Sequence, residues 1–313
     1  MERSLETGAS GIRQFQVALD TIGNNLANIN TTSYKAGRVD FSDTLLQTLK
    51  PGTGDTANAS GTAPIQVGNG AQVSSIETDF SQGAIDQTGV STDLAINGDG
   101  YFLVKNTASP SQEVYATRAG DFHVDDNGYL VNSLGYRVQG QTTPQASNTQ
   151  FPTLNGQFVS ASSDILMSNA SSAVLQAAPP NGPGLPPSSA TAGISAINID
   201  SSGNINVLLT DGSQYIRGQI ALVRFNNPQA LLKEGNNLYS GLTAGGPSVA
   251  ISKGAPAQSD SLGKIESGSL EISNVDISRE FTNLITAQRA LQANAKVVTA
   301  SDDVLQQVIG VVR

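Results

Sequence analysis

One histidine and no cysteine stand among 313 residues. A Ser-His-Asp hydrolytic set would have His123 as its sole imidazole base. The absence of cysteine removes disulfides, thiol nucleophiles and thiolate metal sites together. Phe122, His123 and Val124 alternate as on a strand, so His123 faces away from its two neighbours and reads as a structural residue. Asp121 to Asp126 followed by Asn127-Gly128 faintly resembles a calcium loop, but the twelve-residue spacing fails and no glutamate closes it. A hairpin turn accounts for it. Asn58-Ala59-Ser60 and Asn169-Ala170-Ser171 match the glycosylation tripeptide, which arises by chance in a Ser- and Asn-rich chain. No Gly-Lys-Ser or Gly-Lys-Thr phosphate loop occurs. No catalytic group, metal site or cofactor site is therefore expected.

The composition points to a scaffold instead. Charged residues make up only 14%, glycine is abundant and Trp is absent, the profile of a turn-rich β protein. A net charge of −9 argues against a nucleic-acid partner or an anionic membrane surface. No apolar run approaches the roughly 20 residues needed to span a bilayer, so no membrane insertion is expected. Met1-Glu2-Arg3-Ser4-Leu5 lacks a basic stretch followed by an apolar run, so no cleavable secretory signal is expected. The lack of cysteine fits the cytosol and equally a protein that leaves the cell unfolded.

The two ends carry matching heptads. Leu5, Ile12, Leu19 and Leu26 form one stripe, and Phe15, Ile22 and Ile29 a second, with Gly8 in register. At the other end Ile277, Leu284, Leu291, Val298, Leu305 and Val312 form one stripe. Phe281, Gln288, Ala295, Asp302 and Ile309 form the other. Such steps are the seam of a coiled coil, so each end needs a helical partner, in its own chain or in another copy. Residues 4–29 predict a helix of about 39 Å, and 277–312 one of about 54 Å. Ser273-Asn274-Val275-Asp276 offers cap residues for the second.

Between the ends the period changes. Residues 36–49 carry a weaker amphipathic signal that Pro51-Gly52 ends, and 51–64 read as loop. Asn97-Gly98-Asp99-Gly100 before Tyr101–Val104, and Asp125–Gly128 between Phe122–Val124 and Tyr129–Val131, are hairpin signals. Ile197–Ile199, Asp200–Gly203 and Ile205–Leu208 give another, and Asp211-Gly212-Ser213 the next turn. Residues 141–190 are rich in proline and nearly uncharged. They read as a small insertion with Phe151, Phe158, Ile165, Leu166 and Leu175 as a minor core, or as a flexible excursion. The expected fold is mixed α and β. Residues 1–30 and 275–313 form a terminal, coiled-coil-like helical assembly domain, and 31–64 connect. Residues 65–140 and 191–274 form a mainly β domain, and 141–190 an outer insertion.

Gly23-Asn24-Asn25-Leu26-Ala27-Asn28-Ile29-Asn30-Thr31-Thr32-Ser33-Tyr34-Lys35 resembles the N-terminal signature of the bacterial flagellar rod and hook proteins. Gly268–Asp276, with Asn274, Val275 and Asp276 at its end, is similar to the second signature. Glu280–Ala290 looks more like the hook protein than the rod proteins. Asn97–Phe102, Arg118–Phe122, Gly218–Pro228 and Gly235–Tyr239 continue the likeness. Asn24, Asn25, Asn28, Thr31, Tyr34 and Lys35 carry the first motif, and Ser33 stands where the family usually has glycine.

The resemblance implies a structural subunit of the flagellum, not an enzyme. It implies a self-assembling helical tube, most readily the extracellular hook, a universal joint between rod and filament with a central export channel. The distal rod protein of the basal body is the alternative. Export through the flagellar type III apparatus without cleavage would follow, with the distal rod, hook cap and hook–filament junction as partners. The subunit interface would then run through Leu5, Ile12, Phe15, Leu19, Ile22, Leu26, Ile277, Phe281, Leu284, Leu291, Val298, Leu305 and Ile309. Two other classes compete. A surface adhesion module leaves the terminal heptads unexplained, and a β-rich hydrolase lacks convergent groups.

Overall fold

In the computed structural model the heptad segments are helices, α1 (Glu2–Ala27) and α2 (Ile277–Val311). The structure describes residues 2–52, 54, 61–107, 113–141, 163–165, 167, 194–209, 214–249 and 262–311. The chain divides into two units, residues 1–29, 35–80 and 275–313, and residues 30–34 and 81–274.

In the first unit α1 and α2 pack side by side and run antiparallel. Ser4 and Ser301 hydroxyls meet at 3.1 Å, Gly8 faces Val298, and Gly11 faces Asn294. A Cβ on Gly8 would lie 2.8 Å from Val298 Cγ2, and one on Gly11 2.7 Å from Asn294 Nδ2. The two glycines set how closely the backbones approach.

The 36–49 segment is not helical. It supplies β1 (Gly37–Asp43) and β2 (Leu46–Lys50), which pair antiparallel with β4 (Ala71–Thr78) and β3 (Ile65–Gly68). Val39 lies opposite Ile76 and Phe41 opposite Val73. Val39 and Phe41 are two apart, the period of a strand. The expected connecting segment is thus one arm of a two-stranded ribbon. Its other arm, 65–78, lies in the first unit and not in the β domain to which sequence assigned it. The ribbon packs on α1: Phe15 meets Phe41 at 5.9 Å between ring centres, and Gln14 Nε2 donates to the Ala71 carbonyl at 2.6 Å.

The second unit is built on one sheet. Its path runs through 194–199, 204–209, 214–220, 137–141, β7 (Tyr101–Lys105), β8 (Val114–Thr117), 238–240 and 232–235. The strands labelled between the ribbon and β7 are β5 (Ile85–Gln87) and β6 (Leu94–Asn97). They pair with 269–271 and 264–267 respectively. The hairpins expected at 125–128 and 200–203 form, with Leu130 opposite Val124 and Ile205 opposite Ile199. The Asn97–Gly100 turn joins strands that do not pair with each other: β6 pairs with 264–267, and β7 with β8, 137–138 and 222–223. Leu94–Ile96 and Tyr101–Val104 are buried on both faces, as inner strands are. The expected turn at 211–213 lies outside the described residues.

The core centres on Phe102, edge-on to Phe122 at 5.2 Å, with Leu94, Ile96, Val104, Leu130, Val138, Ile205, Ile220, Leu222 and Ile265. Ile165 and Met167 belong to this same core. Ser163–Asp164 pairs with 137–141, and Leu130 N–H donates to the Ile165 carbonyl at 3.0 Å. So 163–165 is part of the β domain, contrary to the assignment of all of 141–190 to an outer insertion. Phe151, Phe158, Leu166 and Leu175 lie outside the described residues.

Candidate functional site

A residue on a helix reaches a neighbouring helix only if it shares the stripe that faces it. On α2 the half-buried or buried stripe is Leu284, Ala287, Leu291, Asn294, Val298, Ser301 and Leu305. The Leu284, Leu291, Val298 and Leu305 stripe was legible in the sequence. Its companion is Ala287, Asn294 and Ser301. Of the stripe read in its place, Phe281, Gln288, Asp302 and Ile309 are exposed and only Ala295 is half-buried. Small residues win here because Gly8 and Gly11 bring α1 too close for larger ones. On α1, Leu5, Ile12, Phe15, Leu19, Ile22 and Leu26 are all half-buried.

Two apolar flanks of α2 remain exposed. At 100° per residue, Ile277, Phe281 and Ile285 follow one edge of the buried stripe, and Val297, Val304 and Val308 the other. Ile309, 67% exposed, continues the line of Leu305 in the last turns. The ribbon adds Leu45, at 88% exposed, with Leu46, Leu49 and Ile65. Exposed apolar residues thus lie on both α2 and the ribbon.

The motif residues do backbone work. Asn25, buried, exchanges two hydrogen bonds with Gly37, accepting from its N–H at 2.9 Å and donating to its carbonyl at 2.8 Å. Asn28 Nδ2 donates to the Asn24 carbonyl at 2.9 Å and to Asn24 Oδ1 at 2.8 Å, closing the last turn of α1. Thr31 accepts from the Tyr34 N–H at 3.3 Å. Lys35 is fully buried and Val275 half-buried. Asp276 Oδ1 accepts from the N–H groups of Ser278 at 2.8 Å and Arg279 at 3.2 Å, the N-cap expected for α2. Asn274 Nδ2 donates to the Ser81 carbonyl at 3.2 Å and to the Ser81 hydroxyl at 3.1 Å.

A buried polar cluster in the second unit was invisible to sequence reasoning. Arg118 and Glu271 form a buried ion pair at 3.3 Å. The guanidinium also donates to the carbonyls of Gly98 at 2.6 Å and Gly100 at 3.0 Å. Glu271 Oε1 accepts from Gly83 N–H at 2.8 Å. Breaking such a pair leaves an uncompensated charge and costs about 3–5 kcal/mol. The Arg118 guanidinium lies 5.4 Å from the Tyr101 ring centre. Burial raises the Tyr101 hydroxyl to about 12 and pushes Tyr239 higher still. Gly120, in the Arg118–Phe122 motif, is obligatory: a Cβ there would lie 1.7 Å from the Leu94 carbonyl oxygen.

Among the described residues no group of three or more His, Cys, Asp or Glu is placed to hold a metal ion. None of the described helices is long and apolar enough to cross a membrane. The described residues thus hold paired terminal helices with exposed apolar flanks and, in the second unit, a buried ion pair bonded to the backbone around it. Comparison with known proteins is consistent in chain order. The description "Flagella basal body rod protein" matches residues 5–35, "Flagellar hook protein FlgE/F/G D1 domain" 95–207, and "Flagellar basal body rod FlgEFG protein C-terminal" 266–311. The flagellar basal-body rod protein FlgG of Bacillus subtilis (strain 168) is 35% identical over 314 residues, covering 100% of both chains. That of Borreliella burgdorferi is 33% identical and covers 97% of both. The flagellar hook protein FlgE of Treponema pallidum (strain Nichols) is 44% identical over 141 residues, 45% of this chain and 30% of its own. The solved hook protein FlgE2 of Helicobacter pylori aligns over 67% of this chain and 47% of its own at 16% identity, with a TM-score of 0.22. The chain belongs to the flagellar rod and hook protein family, and it is an axial structural protein, not an enzyme.

Proposed function

We propose that the chain is the distal rod subunit, polymerising through α1, α2 and the apolar flanks into a tube around an export channel. The observation that carries this is collinearity from end to end with rod proteins. Alignment with the Borreliella burgdorferi hook protein extends over 452 positions for a chain of 313, so that hook protein carries length this chain lacks. The hook is the second reading, favoured by the 44% match to the Treponema pallidum hook protein and by the Glu280–Ala290 segment. In either reading the exposed residues Ile277, Phe281 and Ile309 meet neighbouring copies, and coiled-coil contacts form between subunits. The chain would pass through the type III apparatus uncleaved and join other axial proteins in the basal body or the extracellular hook. Electron microscopy of polymers of the purified chain tests this. Straight tubes support the rod, curved supercoiled tubes support the hook, and no polymer at any concentration overturns both.

A further inference from the structure

The five residues after Ile29 belong to the β unit. They are held there by groups far away in sequence. Asn237 Nδ2 donates to the Thr32 carbonyl at 2.6 Å. Ser33 N–H donates to the Glu271 carbonyl at 2.8 Å, and its hydroxyl donates to the Arg118 carbonyl at 2.7 Å. Asn274 N–H donates to the Tyr34 carbonyl at 3.3 Å, and Lys233 Nζ sits 5.3 Å from the Tyr34 ring centre. Ser33 has φ +56°, in a region that non-glycine residues seldom adopt, and is 1% exposed. A buried serine holds that conformation only where its surroundings over-determine it.

The two carbonyls that Ser33 engages belong to the two residues whose side chains form the buried ion pair. One residue thus ties together the backbones of Arg118 and Glu271. Their side chains in turn hold the Gly83 N–H and the Gly98 and Gly100 carbonyls. With Ser33 withdrawn, both backbone carbonyls lose the bonds that Ser33 makes, and the two segments that carry the charge pair lose a tie they share. We propose that Asn30–Tyr34 is a strap whose seating closes the Arg118–Glu271 site, so that strap and ion pair order as one cooperative element. The β unit is then complete only after the segment immediately behind α1 has docked. This holds for a rod or a hook subunit alike, since it concerns the single chain.

Hydrogen exchange of the full-length monomer tests it. Ser33→Ala keeps a Cβ at positive φ but removes the hydroxyl. It should raise exchange by about tenfold at the strap amide of Ser33 and, by the same factor, at Gly83, Ile272 and Asn274. The amides of Gly203 and Ile220, bonded elsewhere in the sheet, should stay unchanged and so report an intact fold. Asn237→Ala, which loosens the strap from its other end, should give the same pattern more weakly and serves if Ser33→Ala does not fold. Glu271→Gln should in turn expose the Ser33 amide. Faster exchange confined to residues 30–34, with Gly83 still protected, would overturn the proposal. So would a protected Ser33 amide in Glu271→Gln.

Discussion

Tyr101 holds its proton more tightly in the folded chain than in the unfolded one. Burial is the largest cause; Arg118 opposes it, and Glu271 and Asp99 add to it. A tyrosine raised from the ordinary 10 to about 12 supports the fold fully below pH 10 and loses that support as pH climbs through about 12. The loss between pH 10 and 12 is about 2 kcal/mol. Tyr101→Phe should therefore flatten the fall in urea midpoint between pH 10 and 12, with its own stability at pH 8 only modestly changed. Parallel slopes for the two proteins would remove Tyr101 from the account. Lys233 is shifted by burial too, downward. Its ammonium stays useful because the Tyr34 ring face is attractive to it.

At the scale of elements, two glycines of α1 make opposite demands. Gly23 has open space around its absent Cβ, whereas Gly8 faces Val298, whose branched side chain has little freedom to retreat. Gly23→Ala should raise the helical melting temperature through a gain of about 1 kcal/mol. Gly8→Leu should lower it by parting α1 from α2. Circular dichroism at 222 nm reads both, and a stabilised Gly8→Leu would mean the helices do not touch there. Ile165 makes a similar point in the sheet. Ile165→Ala should cost about 2–5 kcal/mol in urea unfolding, because its side chain is buried in the main core. A cost under 1 kcal/mol would return it to a peripheral insertion. The helices, the Asp276 cap and two hairpins were legible because each is a local pattern. The ribbon was not, since Val39 and Phe41 fit more than one period until Ile76 and Val73 stand opposite them. Nor were the partners of β5 and β6, more than 160 residues away, because alternation says which face is buried and not which strand is adjacent. Arg118 and Glu271 stand in two motifs 153 residues apart, and neither motif says that the fold joins them. The companion seam on α2 was misplaced because Ala287, Asn294 and Ser301 carry no hydrophobic signal, while Phe281 and Ile309 do.

For the whole molecule, the division of α2 into a face covered by its own chain and flanks left open separates two roles that sequence had merged. Leu284 lies on the covered stripe and Phe281 on the open one, only three residues apart. An aspartate at Leu284 puts an unpaired charge against α1. Leu284→Asp should lower the helical signal of the dilute monomer and abolish polymers together. Phe281→Asp leaves the α1 contact intact, and a negative charge near the start of a helix suits the helix dipole. The monomer should therefore keep its circular dichroism and melting temperature while polymer formation, read by sedimentation and electron microscopy, is lost. Tubes of normal length from Phe281→Asp would show that the open flank is not where neighbouring copies sit. A monomer that loses helicity in both variants would show instead that Phe281 is held within its own chain.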